Sequence, residues 1–69
     1  MSIAEFVKER RKKLGMTQVT LADRAGVGLR FVRDLEQGKT TLRLDKVNQV
    51  LQMFGGAVSV GVMDRSVYA

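Results

Sequence analysis

The sequence predicts a small, mainly α-helical domain that ends in a single β-strand. Apolar residues recur at helical spacing in four segments between residues 2 and 54. A glycine follows each of these segments, at Gly15, Gly26, Gly38 and Gly55. Glycine readily takes the left-handed conformation in which many helices end. From Ala57 to Met63 the pattern changes to strict alternation, which is typical of a strand. We therefore expect a helical domain over residues 1–56 and a strand with a polar tail over residues 57–69.

The composition excludes several classes of protein and favours a polyanionic partner. The chain has 69 residues, a net charge of +5, and neither cysteine nor histidine. Without cysteine there is no disulfide scaffold and no thiolate metal site, which fits a reducing cytoplasm. The charged first residues are unlike a signal peptide, and no apolar run approaches membrane length. The excess of positive charge indicates a polyanion, with nucleic acid as the leading candidate.

The first helix is expected to run from Ser2 to Leu14, with one charged residue on its apolar stripe. The stripe consists of Ile3, Phe6, Val7 and Leu14. Arg11 lies on this stripe, and Glu36 lies on the inner face of the third helix, four residues after Val32. A charge on an inward face requires a partner. The remaining basic residues form a solvated outer face or attract phosphate from a distance: Lys8, Arg10, Lys12 and Lys13.

The next two helices are short and are separated by a glycine-containing turn. We expect one helix from Thr17 to Ala25, because the Thr17 hydroxyl can accept a hydrogen bond from a free amide of the first turn. Gly26 and Gly28 interrupt it, and a second helix follows over residues 29–37. The inward-facing residues are Leu21, Ala22, Ala25, Val32 and Leu35. Two helices around such a turn form a helix-turn-helix, whose second helix lies in the DNA major groove.

The stretch LGMTQVTLADRAGVGLRFVRDLEQGK resembles the Cro/C1-type (XRE) family of repressors, and the likeness covers residues 3 to 55. The resemblance implies a lambda-repressor-like domain of four helices. It also implies that Arg11 and Glu36 pair and tie the first helix to the recognition helix, a structural role. The family often has serine or a similar polar residue where this chain has Gly28. A side-chain cap at the start of the second motif helix is therefore not expected.

Four residues of the second motif helix occupy the places that read bases in the family: Leu29, Arg30, Arg33 and Asp34. We expect them to point away from the inward face. Arginine can bond bidentately to guanine, leucine can pack on a thymine methyl group, and aspartate can accept from cytosine. Phe31 either fills the space under the turn or lies against the sugar-phosphate backbone, and we favour packing.

A second set of residues is expected to contact the DNA backbone, and it consists of Thr17, Gln18, Gly28, Lys39, Thr40, Thr41 and Arg43. In the family, glutamine at the Gln18 position touches the backbone and braces the second helix, although it can also be an ordinary exposed residue. The loop before the fourth helix offers hydroxyl and basic groups next to the free amides of a helix N-terminus, which favour an anion. Simple capping by threonine is compatible with that role.

Catalysis has little support in this sequence. There is no histidine or cysteine to act as a base or nucleophile, and the carboxylates are scattered over helix faces. The glycines Gly26 and Gly28 follow a helix rather than a strand, so they do not form a dinucleotide-binding loop. We expect no enzyme activity, no cofactor and no metal. The two remaining classes are a DNA-binding repressor and a protein-interaction module that has lost DNA binding.

Apolar residues repeat at helical spacing in the fourth helix, at Leu44, Val47, Val50, Leu51 and Phe54. This helix and the strand resemble those of HipB-type antitoxins. The segment TTLRLDKVNQVL has the same T-x-R-L-D-x-V-x-x-V-L pattern and runs directly towards the strand. The resemblance implies a repressor that regulates its own operon and restrains a HipA-like kinase toxin. A stand-alone repressor is the alternative.

The strand predicts a second copy of the chain. One strand leaves its backbone groups unpaired, and its valines Val58, Val60 and Val62 need a surface to cover. Pairing with the same strand across a twofold axis satisfies both needs. Such a homodimer would present two recognition helices to a palindromic operator. The alternative is a flexible tail that becomes ordered only against a toxin.

Overall fold

A computed structural model describes residues 2–55, and within them every regular element is an α-helix. The helices are α1 (Ile3–Lys13), α2 (Gln18–Ala25), α3 (Leu29–Glu36) and α4 (Leu44–Gln52). The predicted mainly α-helical domain and the order of its four helices are thus confirmed. The predicted strand and its three valines, Val58, Val60 and Val62, lie outside the described residues. None of the described helices is both long and apolar enough to cross a membrane.

Side chains near the helix ends explain where the first two helices begin. Ser2 caps α1, since its Oγ accepts a hydrogen bond from the Glu5 amide at 3.1 Å and its own amide donates to Glu5 Oε1 at 3.1 Å. The Ser2 amide, together with the Ser2 hydroxyl, which donates to the same Oε1 at 3.3 Å, holds the pKa of the exposed Glu5 carboxyl below its ordinary value. Thr17 caps α2 as predicted, and its Oγ1 accepts from the Thr20 amide at 3.0 Å.

The turn between α2 and α3 is contacted by a residue of α4. Gly26 ends α2 with φ 75° and ψ 30°, a left-handed conformation that glycine adopts at little cost. Gln49 of α4 donates its side-chain amide to the Ala25 carbonyl at 3.3 Å, directly before this glycine. Backbone hydrogen bonds from Val27 to the Ala22 carbonyl at 3.0 Å and from Gly26 to the Asp23 carbonyl at 3.3 Å close the turn, and Gln49 adds a contact from outside the two-helix motif.

All four helices contribute to one core. Its buried apolar residues are Val7, Met16, Leu21, Ala22, Val32, Leu35, Val47, Val50 and Leu51. α3 packs against α1 and α2, while α4 packs against α2. The two ends of the described chain also meet, because the rings of Phe6 and Phe54 pack edge to face with their centroids 6.3 Å apart. The Arg10 guanidinium lies 5.2 Å from the centre of the Phe6 ring and covers this contact.

Two leucines that the helical pattern places on inward stripes are exposed. Leu14 is 61% exposed and Leu44 is 62% exposed, so the prediction that they belong to the core was wrong. Leu14 is the C-cap of α1, and its backbone angles (φ −87°, ψ 2°) carry it off the stripe of that helix. Leu44 is the first residue of α4, which places it at the helix end rather than over the core. Periodicity assigns a face but does not show where neighbouring helices stop covering it.

Candidate nucleic-acid interface

The Glu36 carboxylate joins the first three helices. Arg11 of α1 donates to it twice, from Nε to Oε2 at 2.7 Å and from Nη2 to Oε1 at 3.0 Å. Gln18 of α2 donates from Nε2 to Oε1 at 3.1 Å. Arg11 uses its remaining nitrogen, Nη1, to donate to the Met16 carbonyl at 2.9 Å. The predicted Arg11–Glu36 pair is thus present, and Gln18 braces α3 as the resemblance implied.

The charge states of Arg11 and Glu36 depend on their burial and on the hydrogen bonds that compensate for it. The Glu36 side chain is 1% exposed. Burial by itself raises the pKa of the Glu36 carboxyl, but the hydrogen bonds from Arg11 and Gln18 and the Arg11 charge outweigh it and hold the pKa below its ordinary value. The hydrogen bond to Glu36 likewise raises the pKa of Arg11. Both groups are charged at neutral pH, and they fix α3 relative to α1 and α2.

The outer face of α3 presents two cations. Arg30 and Arg33 are exposed and lie three residues apart, which places them side by side on one face of the helix. Among residues 2–55, no carboxylate forms an ion pair with either guanidinium. Their donor groups therefore point into solvent, in the arrangement that a bidentate contact with a base edge or a phosphate needs.

Two apolar residues of α3 pack against the core. Phe31 is half-buried there, which confirms the prediction of packing. Leu29 is half-buried against the same core, so the prediction that it points away was wrong. Its position explains this, because Leu29 lies three residues before Val32 and shares that residue's face. The proposed contact between Leu29 and a thymine methyl group is limited to the part of the side chain that remains accessible.

Asp34 lies next to Lys39, a pairing that the sequence analysis missed. Lys39 Nζ is 3.6 Å from Asp34 Oδ2, and the Lys39 amide donates to the Asp34 carbonyl at 3.1 Å. Gly38 between them has φ 86° and turns the chain back over the last turn of α3. The sequence feature that could have predicted this pairing is Gly38, because a glycine after a helix often turns the chain so that the next residue lies beside the helix end. Asp34, which is expected to read a base, and Lys39, which is expected to contact the DNA backbone, therefore lie next to each other.

The start of α3 has no side-chain cap. Gly28 occupies the N-cap position with φ −75° and ψ 154°, and no side chain bonds to the first amides of the helix. This agrees with the departure from the family at this position. On α2, Thr17 is exposed, but its hydroxyl is already engaged with Thr20, to whose Oγ1 it donates at 3.0 Å. Gln18 is half-buried and keeps one amide hydrogen and its carbonyl oxygen for other partners.

The loop before α4 places its hydroxyls in solvent and its arginine against a carboxylate. Thr40 and Thr41 are exposed, and neither caps α4, because the N-cap residue is Arg43 and no side chain bonds there. Capping by threonine was therefore a wrong interpretation. Arg43 donates to Asp45 from Nε at 3.2 Å and from Nη2 at 2.8 Å. The hydrogen bond from Arg43 holds the pKa of the Asp45 carboxyl below its ordinary value.

Comparison with known proteins places this geometry in a family. The family described as "Helix-turn-helix" (HTH_3) matches residues 7–59, which is most of the chain. The chain belongs to the helix-turn-helix family. This helix-turn-helix protein is also 47% identical over 58 residues to an uncharacterized HTH-type transcriptional regulator, y4mF, of Sinorhizobium fredii. That alignment covers 84% of this chain and 76% of the relative. No solved structure matches this helix-turn-helix protein significantly.

Family membership relates the two motif helices to those of other helix-turn-helix proteins. In a helix-turn-helix protein the second motif helix lies in the major groove and the first crosses the DNA backbone. These correspond here to α3 and α2, which Gly26 separates. The exposed guanidiniums of Arg30 and Arg33 thus belong to the helix that reads DNA in this family, while Glu36, on the same helix, anchors it to α1 and α2.

Proposed function

We propose that this protein is a sequence-specific DNA-binding transcriptional repressor. The observation that carries the proposal is the contrast between the arginine of α1 and the two arginines of α3. Arg11 is bound in a buried pair, whereas Arg30 and Arg33 are exposed on α3 and have no carboxylate partner within residues 2–55. An acidic outer face on that helix would have favoured a protein-interaction module instead. A major groove that offers guanine N7 and O6 acceptors suits them well.

In this proposal the contacts fall into two groups with different consequences. Arg30 and Arg33 bond to guanine, Leu29 contacts a thymine methyl group with its accessible edge, and Asp34 accepts from cytosine once it has separated from Lys39. The contacts to the sugar-phosphate backbone come from Thr17, Gln18, the Gly28 region, Lys39, Thr40, Thr41 and Arg43. Backbone contacts fix the register of α3 and carry no sequence information directly.

We also propose that two copies bind a palindromic operator. The support is the alternating segment from Ala57 to Met63, whose Val58, Val60 and Val62 need both a pairing partner and a covering surface. Paired across a twofold axis, two copies place their α3 helices in major-groove segments about 34 Å apart, or a multiple of that distance. A second copy also adds buried apolar surface to a domain of this size, which buries only about 60% of its unfolded surface alone.

The finer proposal is that the repressor is an antitoxin that regulates its own operon and restrains a HipA-like kinase toxin. Its support is the likeness of the segment TTLRLDKVNQVL, and of the strand after it, to HipB-type proteins. Co-expression with a kinase-like protein encoded beside this gene should then yield a complex that survives purification. A gene with no such neighbour, together with repression by this protein alone, favours the stand-alone repressor.

A mobility-shift titration tests the central proposal. Sequences that bind are selected from a random duplex pool, and the affinities of the wild type, Arg30→Ala and Arg33→Ala are then compared on the selected site and on the unselected pool. Each arginine variant should lose about 1–3 kcal/mol on the selected site, roughly 5- to 150-fold in Kd, and much less on the pool. Arg24→Ala removes an exposed arginine at the end of α2 and serves as the matched control.

Two outcomes contradict the proposal. If the wild type binds no duplex at low salt, the protein-interaction module is the better description. If Arg30→Ala and Arg33→Ala lose affinity equally for the selected site and for the pool, these arginines contact phosphate and base reading lies elsewhere.

A further inference from the structure

Arg43, the loop arginine that is proposed to bind a DNA phosphate, already binds the Asp45 carboxylate of the same chain. Arg43 donates two hydrogen bonds to the Asp45 carboxylate, at 3.2 and 2.8 Å, so the two groups meet fork to fork. The side chains are 71% and 61% exposed, which leaves the pair open to exchange with solvent and ligands. A carboxylate and a phosphate present a similar pair of oxygens to a guanidinium, and both bind it in this bidentate manner.

We propose that Asp45 competes with the DNA phosphate for the Arg43 guanidinium and thereby limits the affinity of the protein for DNA of any sequence. The inference depends on the proposed DNA-binding function and names a residue that sets its strength. Before Arg43 contacts a phosphate it has to leave Asp45, and the freed carboxylate then faces the negatively charged backbone. Both effects weaken the complex without reference to base sequence.

The charges around this loop fit the same interpretation. Lys39, at the other end of the loop, lies 3.6 Å from Asp34, so both cations of residues 39–43 face a carboxylate. Arg30 and Arg33 on α3 face none within the described part of the chain. Each cation of the phosphate-contacting loop is thus opposed by a carboxylate, whereas within residues 2–55 the two arginines of α3 are not. Affinity then depends mainly on contacts that distinguish one sequence from another.

Asp45→Asn isolates the effect, because it removes the charge and keeps the shape of the side chain. The pair is exposed, so the gain is modest: binding should tighten about two- to fivefold, by the same factor for a selected site and for a random pool. The dependence of log K on log salt should steepen by up to about one unit, as if one further phosphate were neutralised. Circular dichroism should show unchanged helix content.

Asp23→Asn provides the matched control. Asp23 is exposed on α2 and belongs to none of the described ion pairs, so this variant adds the same net charge away from the loop. The gain from Asp45→Asn should exceed that from Asp23→Asn, and most of this excess should disappear when Arg43→Ala is combined with each variant. In the Asp45→Asn background, Arg43→Ala should lower the salt slope by about one unit.

Three results overturn the inference while leaving DNA binding intact: equal gains from Asp45→Asn and Asp23→Asn, an excess gain from Asp45→Asn that is as large without Arg43, or weaker binding by Asp45→Asn. Failure of the proposed function itself is distinct, because then neither the wild type nor any of these variants shifts a duplex.

Discussion

Replacing Arg11 by methionine should destabilise the protein strongly and reverse part of its response to pH. Methionine keeps a long apolar side chain in place of the arginine stem. It removes both hydrogen bonds to Glu36 and the one to the Met16 carbonyl. The Glu36 side chain, which is 1% exposed, then keeps only the hydrogen bond from Gln18. The variant therefore leaves a buried carboxylate without its counter-charge.

The expected loss is large compared with the total stability. Removing one partner of a buried ion pair costs about 3–5 kcal/mol. A domain of this length unfolds with a free energy of about 3–10 kcal/mol, so the loss amounts to between a third and all of it. At about 4–8 °C per kcal/mol, the midpoint of thermal unfolding should fall by at least 12 °C. Lys12→Met changes a neighbouring exposed residue of α1 in the same way and should have little effect.

The pH dependence distinguishes a lost charge partner from lost packing. In the wild type the pKa of Glu36 is lowered in the folded state, so its contribution is present above the unfolded pKa of about 4.3 and disappears as the pH falls through the folded value. In Arg11→Met the burial of Glu36 is no longer offset by the guanidinium, and the folded pKa should lie above the unfolded one. The contribution of Glu36 to the stability of this variant is then present below about pH 4.3 and is lost as the pH rises. The difference in unfolding free energy between Arg11→Met and the wild type should therefore become smaller as the pH falls.

Urea unfolding followed by circular dichroism, at fixed protein concentration and at several pH values between 7 and 4, measures this deficit. The double variant Arg11→Met/Glu36→Leu removes both charges and should recover most of the stability at pH 7. A loss below about 1 kcal/mol for Arg11→Met, or a deficit that does not change with pH, would refute the role assigned to this pair.

Three further variants test the start of α3, the turn at Gly38 and the C-terminal segment. Gly28→Ser should stabilise the protein by about 0.3–1 kcal/mol, because a Cβ at Gly28 meets no atom within 4 Å and the hydroxyl can accept from a free amide of α3. Thermal unfolding measures the gain, and Gly38→Ser, at φ 86°, should instead destabilise. Deleting residues 57–69 should give a less stable monomer with a severe loss of operator affinity. Sedimentation that finds the deletion variant to be as tight a dimer as the full chain would contradict the proposed strand pairing.

Features that depend on local spacing were predictable from the sequence. Thr17 as a helix cap, Gly26 as a helix end and the four-helix order all follow from short-range rules and were confirmed. Arg11 and Glu36 attracted notice because each is a charge on an apolar stripe, and the resemblance to a known family supplied the pairing. The structure confirms it with two hydrogen bonds.

Features that depend on how far a neighbouring helix extends were not predictable in the same way. Leu14 and Leu44 match the apolar period but lie at helix ends, where exposure depends on the surrounding helices. Asp34 and Asp45 were not recognised as partners of the loop cations, since each pairing depends on the backbone path through a turn or a helix start. Leu29 is different, because its three-residue spacing from Val32 already indicated that it faces inward.

The hydrogen bond from Gln49 to the Ala25 carbonyl has a consequence for the order of events during synthesis. The residues of both motif helices are present once residue 38 has been added, but Gln49 and the core residues Val47, Val50 and Leu51 of α4 are not. At about 5–20 residues per second, the 14 residues from 39 to 52 take roughly one to three seconds to add. During that interval the nascent chain contains the motif without the contact from Gln49 and without α4 to cover its core. A free fragment that ends at residue 38 should therefore have a less stable recognition helix than the full chain.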